Sequence, residues 1–164
     1  MSIVAIRHAE PSDFDVICEL NLSQVQHTSQ MDVSRLTELH RIASYHKVAC
    51  VNGKVSAFLL AMRHDAAYEN ANFEWFLGKF PNFIYIDRLV VSVQSRGLSL
   101  GSKLYDDIFN HARSEGISTI VCEYNLVPPN EPSRRFHDKY GFREQGTQWL
   151  DSGRKHVSLQ AAKT

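Results

Sequence analysis

Arg96-Gly97-Leu98-Ser99-Leu100-Gly101 stands between a β-branched and aromatic run at 83–93 and an amphipathic run that Gly116 ends. The first run has the length and composition of a strand and is bounded by Pro81-Asn82 before it and Gly97 after it. In the second, Leu100, Leu104, Ile108 and Ala112 recur every four residues, while Lys103, Asp106, Asp107 and Asn110 take the other side. That is the period of a helix with one buried face. The first amides of a helix have no intrahelical acceptor and stand at the positive end of its dipole, so a strand, a glycine loop and a helix start together form a cradle for phosphate. Gly97 and Gly101 permit close approach, Arg96 adds a fixed positive charge, and Ser99 or Ser102 adds a hydroxyl. Alone, the pattern equally describes an ordinary strand-to-helix turn carrying a surface arginine.

Working outward, Val4-Ala5-Ile6 reads as a short strand, Glu10-Pro11-Ser12-Asp13 as a turn, and Val16, Ile17 and Leu20 as the apolar face of a first helix. Leu36, Leu39, Ile42 and Ala43 predict a second helix over 33–45. Asn52-Gly53 between two apolar runs predicts a β-hairpin over 47–63. The aromatic, Asn-rich stretch 65–82 has no clean period and reads as a long loop with room for a helical turn. Beyond Gly116 come a buried strand at 119–122, the Pro128-Pro129 turn, a helix over 131–140 closed by Gly141, and two strands near Trp149 and Val157. The expected fold is α/β of the α+β kind: a mixed, mostly antiparallel central sheet of about six to seven strands flanked by about four helices. Residues 1–164 are read as a single domain.

Lys and Arg together number 18, as do Asp and Glu, so the charge balance gives no reason to expect nucleic acid or an anionic membrane as partner. Cys18, Cys50 and Cys122 are isolated and odd in number, which points to a reducing compartment and a cytoplasmic protein. No apolar run has the length of a membrane span. Histidines such as His8, His27, His40, His64 and His111 lack metal-ligand spacing, and no metal is expected.

Val91-x-Val93-x-x-Arg96-Gly97-x-Ser99-x-Gly101-x-x-Leu104 resembles the acetyl-coenzyme A motif of the GNAT superfamily of N-acyltransferases, Q/R-x-x-G-x-G/A. Arg96 matches its first position and Gly101 its last, and Ser99 stands where the family usually has its first glycine. Downstream, Asn130-x-x-Ser133-x-x-Phe136-His137-x-x-x-Gly141-Phe142 resembles the family's N-x-x-A-x-x-F-Y-x-x-x-G-F stretch. The resemblance implies acetyl-CoA as co-substrate and transfer of its acetyl group to a primary amine of a small molecule or amino acid, by direct attack in a ternary complex. It implies a coenzyme site on the main chain of Leu89, Val90 and Val91 and on Arg96, Gly97, Leu98, Ser99, Leu100, Gly101 and Ser102, with Asn130, Phe136 and His137 from the second motif. A dinucleotide-binding fingerprint and a Walker loop are both excluded, since neither G-x-G-x-x-G nor G-K-[ST] occurs.

Acetyl transfer from a thioester needs a neutral amine, an oxyanion stabiliser and a proton for the thiolate. His137 occupies the place of the motif's tyrosine, the family's usual proton donor, and an imidazole can do that work near neutral pH; Tyr140 or water is the alternative. Asp87 and Glu123 each interrupt an apolar run and are candidates for removing the amine's proton. Against them stand an ion pair of Asp87 with Arg88 or with a lysine across the sheet, a similar structural role for Glu123, and proton removal through a chain of water molecules. Glu74 and Trp75 in the aromatic stretch, with Tyr85 on the following strand, are the candidates for acceptor recognition, against the alternative that the rings are core. Two other functions fit the residues: a non-catalytic acyl-CoA-binding module, and an N-acetyltransferase of proteins or peptides. A monomer or a homodimer is expected.

Overall fold

The computed structural model describes residues 1–25 and 28–164, so His27 lies outside the described residues. Among these, seven strands and five α-helices follow in the order β1 (Val4–His8), α1 (Phe14–Leu22), α2 (Val33–Ile42), β2 (Tyr45–Val51), β3 (Lys54–Arg63), α3 (Ala71–Leu77), β4 (Ile84–Val91), α4 (Leu100–Ser114), β5 (Thr119–Val127), α5 (Glu131–Lys139), β6 (Arg143–Leu150) and β7 (Lys155–Lys163). The sheet order is β1-β2-β3-β4-β5-β7-β6. Antiparallel ladders join β1 to β2, β2 to β3, β5 to β7 and β7 to β6, while β4 runs parallel to β5. This is the mixed, mostly antiparallel sheet that the sequence predicts.

The chain divides into two compact units. In the first, Met1–Met62 with Ile86–His111, the β2–β3 hairpin turns at Asn52 and Gly53, whose φ angles of 51° and 84° are the left-handed values that a two-residue hairpin turn requires. Leu100, Leu104 and Ile108 of α4 are buried, as their four-residue repeat dictates. On another side of the same helix, Asp107 accepts hydrogen bonds from Tyr45 Oη and Lys47 Nζ, each at 2.8 Å. That contact explains a correction: α2 ends at Ile42 rather than near 45. Ala43 is already extended (φ −69°, ψ 142°), and Tyr45 opens β2 with its ring buried and its hydroxyl on Asp107. An apolar residue beginning a strand had continued the helical spacing by coincidence.

In the second unit, Arg63–Tyr85 with Ala112–Thr164, the stretch read as a long loop holds a fifth helix, α3. Its start is set by Asn70, whose side-chain oxygen accepts from the amides of Asn72 and Phe73 at 3.0 Å. Phe73 and Phe76, three residues apart on one face, are fully buried among Tyr68, Phe83 and Tyr85. Seven residues make two turns, too few for a period to emerge from the sequence. The helix is fastened to β6 through Trp75, which lies so close to Gly146 that a Cβ there would sit 2.6 Å from the indole. A second tie runs from Gln148 Nε2 to Asn72 Oδ1 at 3.0 Å.

Candidate active site

After β4 the chain makes a 3-10 turn at Val93–Ser95, whose start is capped by Ser92. Gly97 then takes φ 90° and Ser99 φ 57°. The first helical bond of α4 runs from Lys103 N to Ser99 O at 3.0 Å, so the amides of 99–102 have no acceptor within the helix. Its first turn contains no acidic side chain. Arg96, Gly97 and Ser99 are exposed, Leu98, Gly101 and Ser102 half-buried, and Leu100 is buried as the anchor of the turn. Ser99 holds a left-handed conformation that costs a non-glycine residue roughly 1 kcal/mol. That is the physical reason why the resembled motif favours glycine at this position.

On β4, Val90 is buried and Leu89 and Val91 are half-buried. The ladder with β5 pairs Ile84 with Ile120 and Tyr85 with Val121, and β4 itself continues to Val91. Asp87 is engaged by Arg88 Nε at 2.6 Å, with both side chains almost wholly buried. Sequence reading offered Arg88 only as that ion-pair partner. Its guanidinium also donates to Asn21 Oδ1 (3.1 Å), Ser29 O (3.0 Å) and Ser29 Oγ (3.0 Å), tying β4 to the end of α1. Asn21 also lines a cleft of about 500 Å³ with Cys18, Met31, Asp32 and Arg35. A charge inside an apolar run was the one signal available for this knot.

In the second unit, Tyr85 is fully buried and its hydroxyl reaches both carboxylate oxygens of Glu123 at 2.9 Å. These two expected site residues are therefore brought together. Asn130 caps α5, accepting from Ser133 N at 3.3 Å. His137 is buried against Tyr124, Phe136 and Phe142. Its Nδ1 lies 2.7 Å from the Ser133 carbonyl oxygen and 3.2 Å from Ser133 Oγ. Burial pushes the imidazole below the usual histidine range, with the Ser133 carbonyl opposing. Glu74 is exposed on α3, whereas Trp75 is occupied by Gly146 and by Lys79, whose ammonium sits 5.7 Å from the ring centroid.

Among the described residues, no cluster of His, Cys, Asp and Glu could hold a metal ion, and no helix is long and apolar enough to cross a membrane. Comparison with curated proteins by sequence gives no match. Among solved structures, the fold is similar to that of Ard1 from Thermoplasma volcanium, with a TM-score of 0.80 at 18% identity over 98% of this chain and 97% of that one. It is similar to yncA, a putative acetyltransferase from Salmonella typhimurium with its cofactor acetyl-CoA, with a TM-score of 0.71 at 20% identity over 98% and 93%. It is also similar to Arabidopsis thaliana Naa50 in complex with the bisubstrate analogue CoA-Ac-MVNAL, with a TM-score of 0.73 at 15% identity over 98% and 99%. The profile of the acetyltransferase (GNAT) family matches residues 8–142, a span holding both motifs and the whole of β4, α4 and α5. With that match and the likeness of fold, the chain belongs to the GNAT family of acetyltransferases.

Proposed function

We propose that the chain transfers the acetyl group of acetyl-CoA to the primary amine of a small molecule or amino acid, by direct attack of the amine on the thioester. The observation that carries this reading is the start of α4, where a glycine turn and a left-handed Ser99 lead into an acid-free first turn at the positive end of the helix dipole. Those residues fit a pyrophosphate, and Arg96 beside them adds a charge that pairs well with phosphate oxygen. The main chain at 89–91 takes the pantetheine arm as an added strand would be taken. Asn130 and Phe136 contribute to the same ligand from the second motif. Glu123, already fixed by Tyr85, receives the proton that the amine gives up. Asp87 keeps Arg88 in place.

A peptide acceptor is the second reading, motivated by the fold shared with Naa50 and its peptide-bearing analogue. The deciding experiment incubates purified protein with acetyl-CoA and a panel of amines, amino acids and short peptides, and follows release of free thiol, with calorimetry of coenzyme A alongside. Saturable release that depends on a small amine supports the first reading. Release with peptides alone moves the assignment to a peptide N-acetyltransferase. Coenzyme A binding without release from any acceptor would leave a binding module.

A further inference from the structure

Every nitrogen of the Arg88 guanidinium is engaged: Nε on Asp87, Nη1 on Asn21 Oδ1 and Ser29 O, Nη2 on Ser29 Oγ. Asn21 closes the knot from its own side, donating Nδ2 to the same Ser29 oxygen at 2.9 Å and accepting from Thr28 Oγ1 at 3.1 Å. A buried ion pair seldom stabilises a fold more than apolar side chains of the same volume would. What this one supplies is placement. It pins the chain that leaves α1 to β4, one residue before the main chain of 89–91. Asn21, Ser29 and Arg88 all belong to the first compact unit, as do 89–91 and the start of α4.

Asn21 also lines the cleft of about 500 Å³ that the ends of α1 and α2 form. Of the apolar side chains lining it, Met31 is buried and Cys18 half-buried, while Leu22 and Val25 are 65% and 38% exposed. Large apolar side chains left in water at one cleft mark a surface for an apolar ligand. The charges of the lining stay at its edge. Glu19 is exposed, Asp32 accepts from Arg35 N as the cap of α2, and the Arg35 guanidinium lies 3.0 Å from Glu38.

We propose that this cleft receives an aliphatic tail carried by the acceptor amine, and that Arg88 is a positioning residue that fixes the wall of the cleft against β4. The inference rests on the acetyl-transfer reading above and narrows its acceptor to primary amines with an apolar tail. The chemistry at the amine is unchanged by it. The Asn21–Arg88 tie holds the place of the tail at a set spacing from the main chain of 89–91, within one unit of the fold.

The test follows thiol release from saturating acetyl-CoA with straight-chain amines from ethylamine to hexylamine. In the parent protein kcat/KM should rise about three- to fourfold for each methylene added. Cys18→Phe puts a ring into the cleft and leaves the ion pair intact, so it tests the cleft independently of Arg88. Its rise should flatten to about 1.5-fold or less per methylene. Asp87→Leu combined with Arg88→Met removes both buried charges together. It should raise KM for hexylamine about tenfold with kcat within about twofold, and should change ethylamine kinetics much less. A parent protein indifferent to tail length, or a Cys18→Phe variant that keeps the parent's slope, overturns the cleft as the tail's site. An equal loss on ethylamine and hexylamine in the double variant overturns the role of Arg88. A parent protein that acetylates other acceptors but no alkylamine overturns this inference and leaves the acetyl-transfer reading standing. One that consumes acetyl-CoA with no acceptor at all overturns both.

Discussion

The starts of helices α2 and α4 belong to the same compact unit and differ in kind. Before α2, Asp32 is extended and its carboxylate accepts from Arg35 N at 2.8 Å. Helices α3 and α5 follow the same rule with Asn70 and Asn130. Helix α4 instead follows Gly97 and a left-handed Ser99, with no acid in its first turn. A helix whose own side chain satisfies its first amides has little left to offer an anion, whereas α4 begins on a strained backbone. The difference separates a helix start closed by its own side chain from one that begins on a left-handed residue with no acid in its first turn.

The largest effect comes from making α4 resemble α2. Aspartate and asparagine both tolerate a positive φ better than most residues, so Ser99→Asp and Ser99→Asn should fold alike. The aspartate brings a negative charge to the first-turn amides and to the pyrophosphate's place. Coenzyme A affinity should fall about a hundredfold in Ser99→Asp, about 3 kcal/mol, and change about threefold or less in Ser99→Asn. Calorimetry on the two variants reads this directly. Equal affinities would mean that no anion sits at this helix start, and the contrast with α2 would lose its functional content.

The opposite pole of α2 supplies the next effect. His40, in the last turn, faces His46 of β2 with their Nδ1 atoms 2.8 Å apart, so one ring donates and the other accepts. Burial first, and then His40, push the His46 imidazole from an ordinary 6.5 down to about 4, with Asp13 pulling the other way. Above pH 6.5 both folded and unfolded chains hold the ring neutral and it contributes nothing to pH dependence. As pH falls below 6.5, the unfolded chain takes up the proton that the folded one refuses, and stability drops, by up to about 3 kcal/mol near pH 4. His137 shifts in the same direction, so the informative quantity is a difference between proteins. Denaturant unfolding at pH 7 and pH 4.5 should show a markedly smaller loss in His46→Phe than in the parent chain. An unchanged loss would show that the buried His46 ring does not contribute to the acid sensitivity.

What the sequence made legible follows from how local each signal is. Asn52-Gly53 fixes a hairpin because two adjacent residues alone determine the turn. The α4 start was readable because the glycines, the arginine and a four-residue apolar repeat lie within one short segment. Helix α3 escaped because its start rests on one Asn cap and its packing on Gly146, far along the chain. The same limit hid the polar partnerships. Arg88 joins Ser29 across 59 positions, and Tyr85 joins Glu123 across 38. Asp87 and Glu123 both interrupt apolar strands and look alike in sequence, yet one is locked by a neighbouring guanidinium and the other by a distant phenol. His137 was legible as a residue in a motif, but its tautomer depends on a carbonyl one helical turn back.

The smallest effect runs the other way along the comparison, by removing the strain that α4 carries. At φ 57°, Ser99→Gly relieves the left-handed penalty of the side chain, but it also widens the conformations open to the unfolded chain. The two terms oppose each other, and the strain relief is the larger where the native φ is positive, so the net stabilisation should be about 0.5 kcal/mol. Melting temperature should rise by a degree or two on that account. Coenzyme A affinity separates two roles for the serine. If only the main chain at 99 holds the anion, the glycine variant binds as well as the parent or better. A loss of about fivefold or more, beside unchanged or raised stability, assigns the hydroxyl itself to the pyrophosphate, as charge-assisted hydrogen bonds of that kind contribute about 1.5 kcal/mol or more. In that case Ser99 departs from glycine because a donor here is worth more to the ligand than the strain costs the fold.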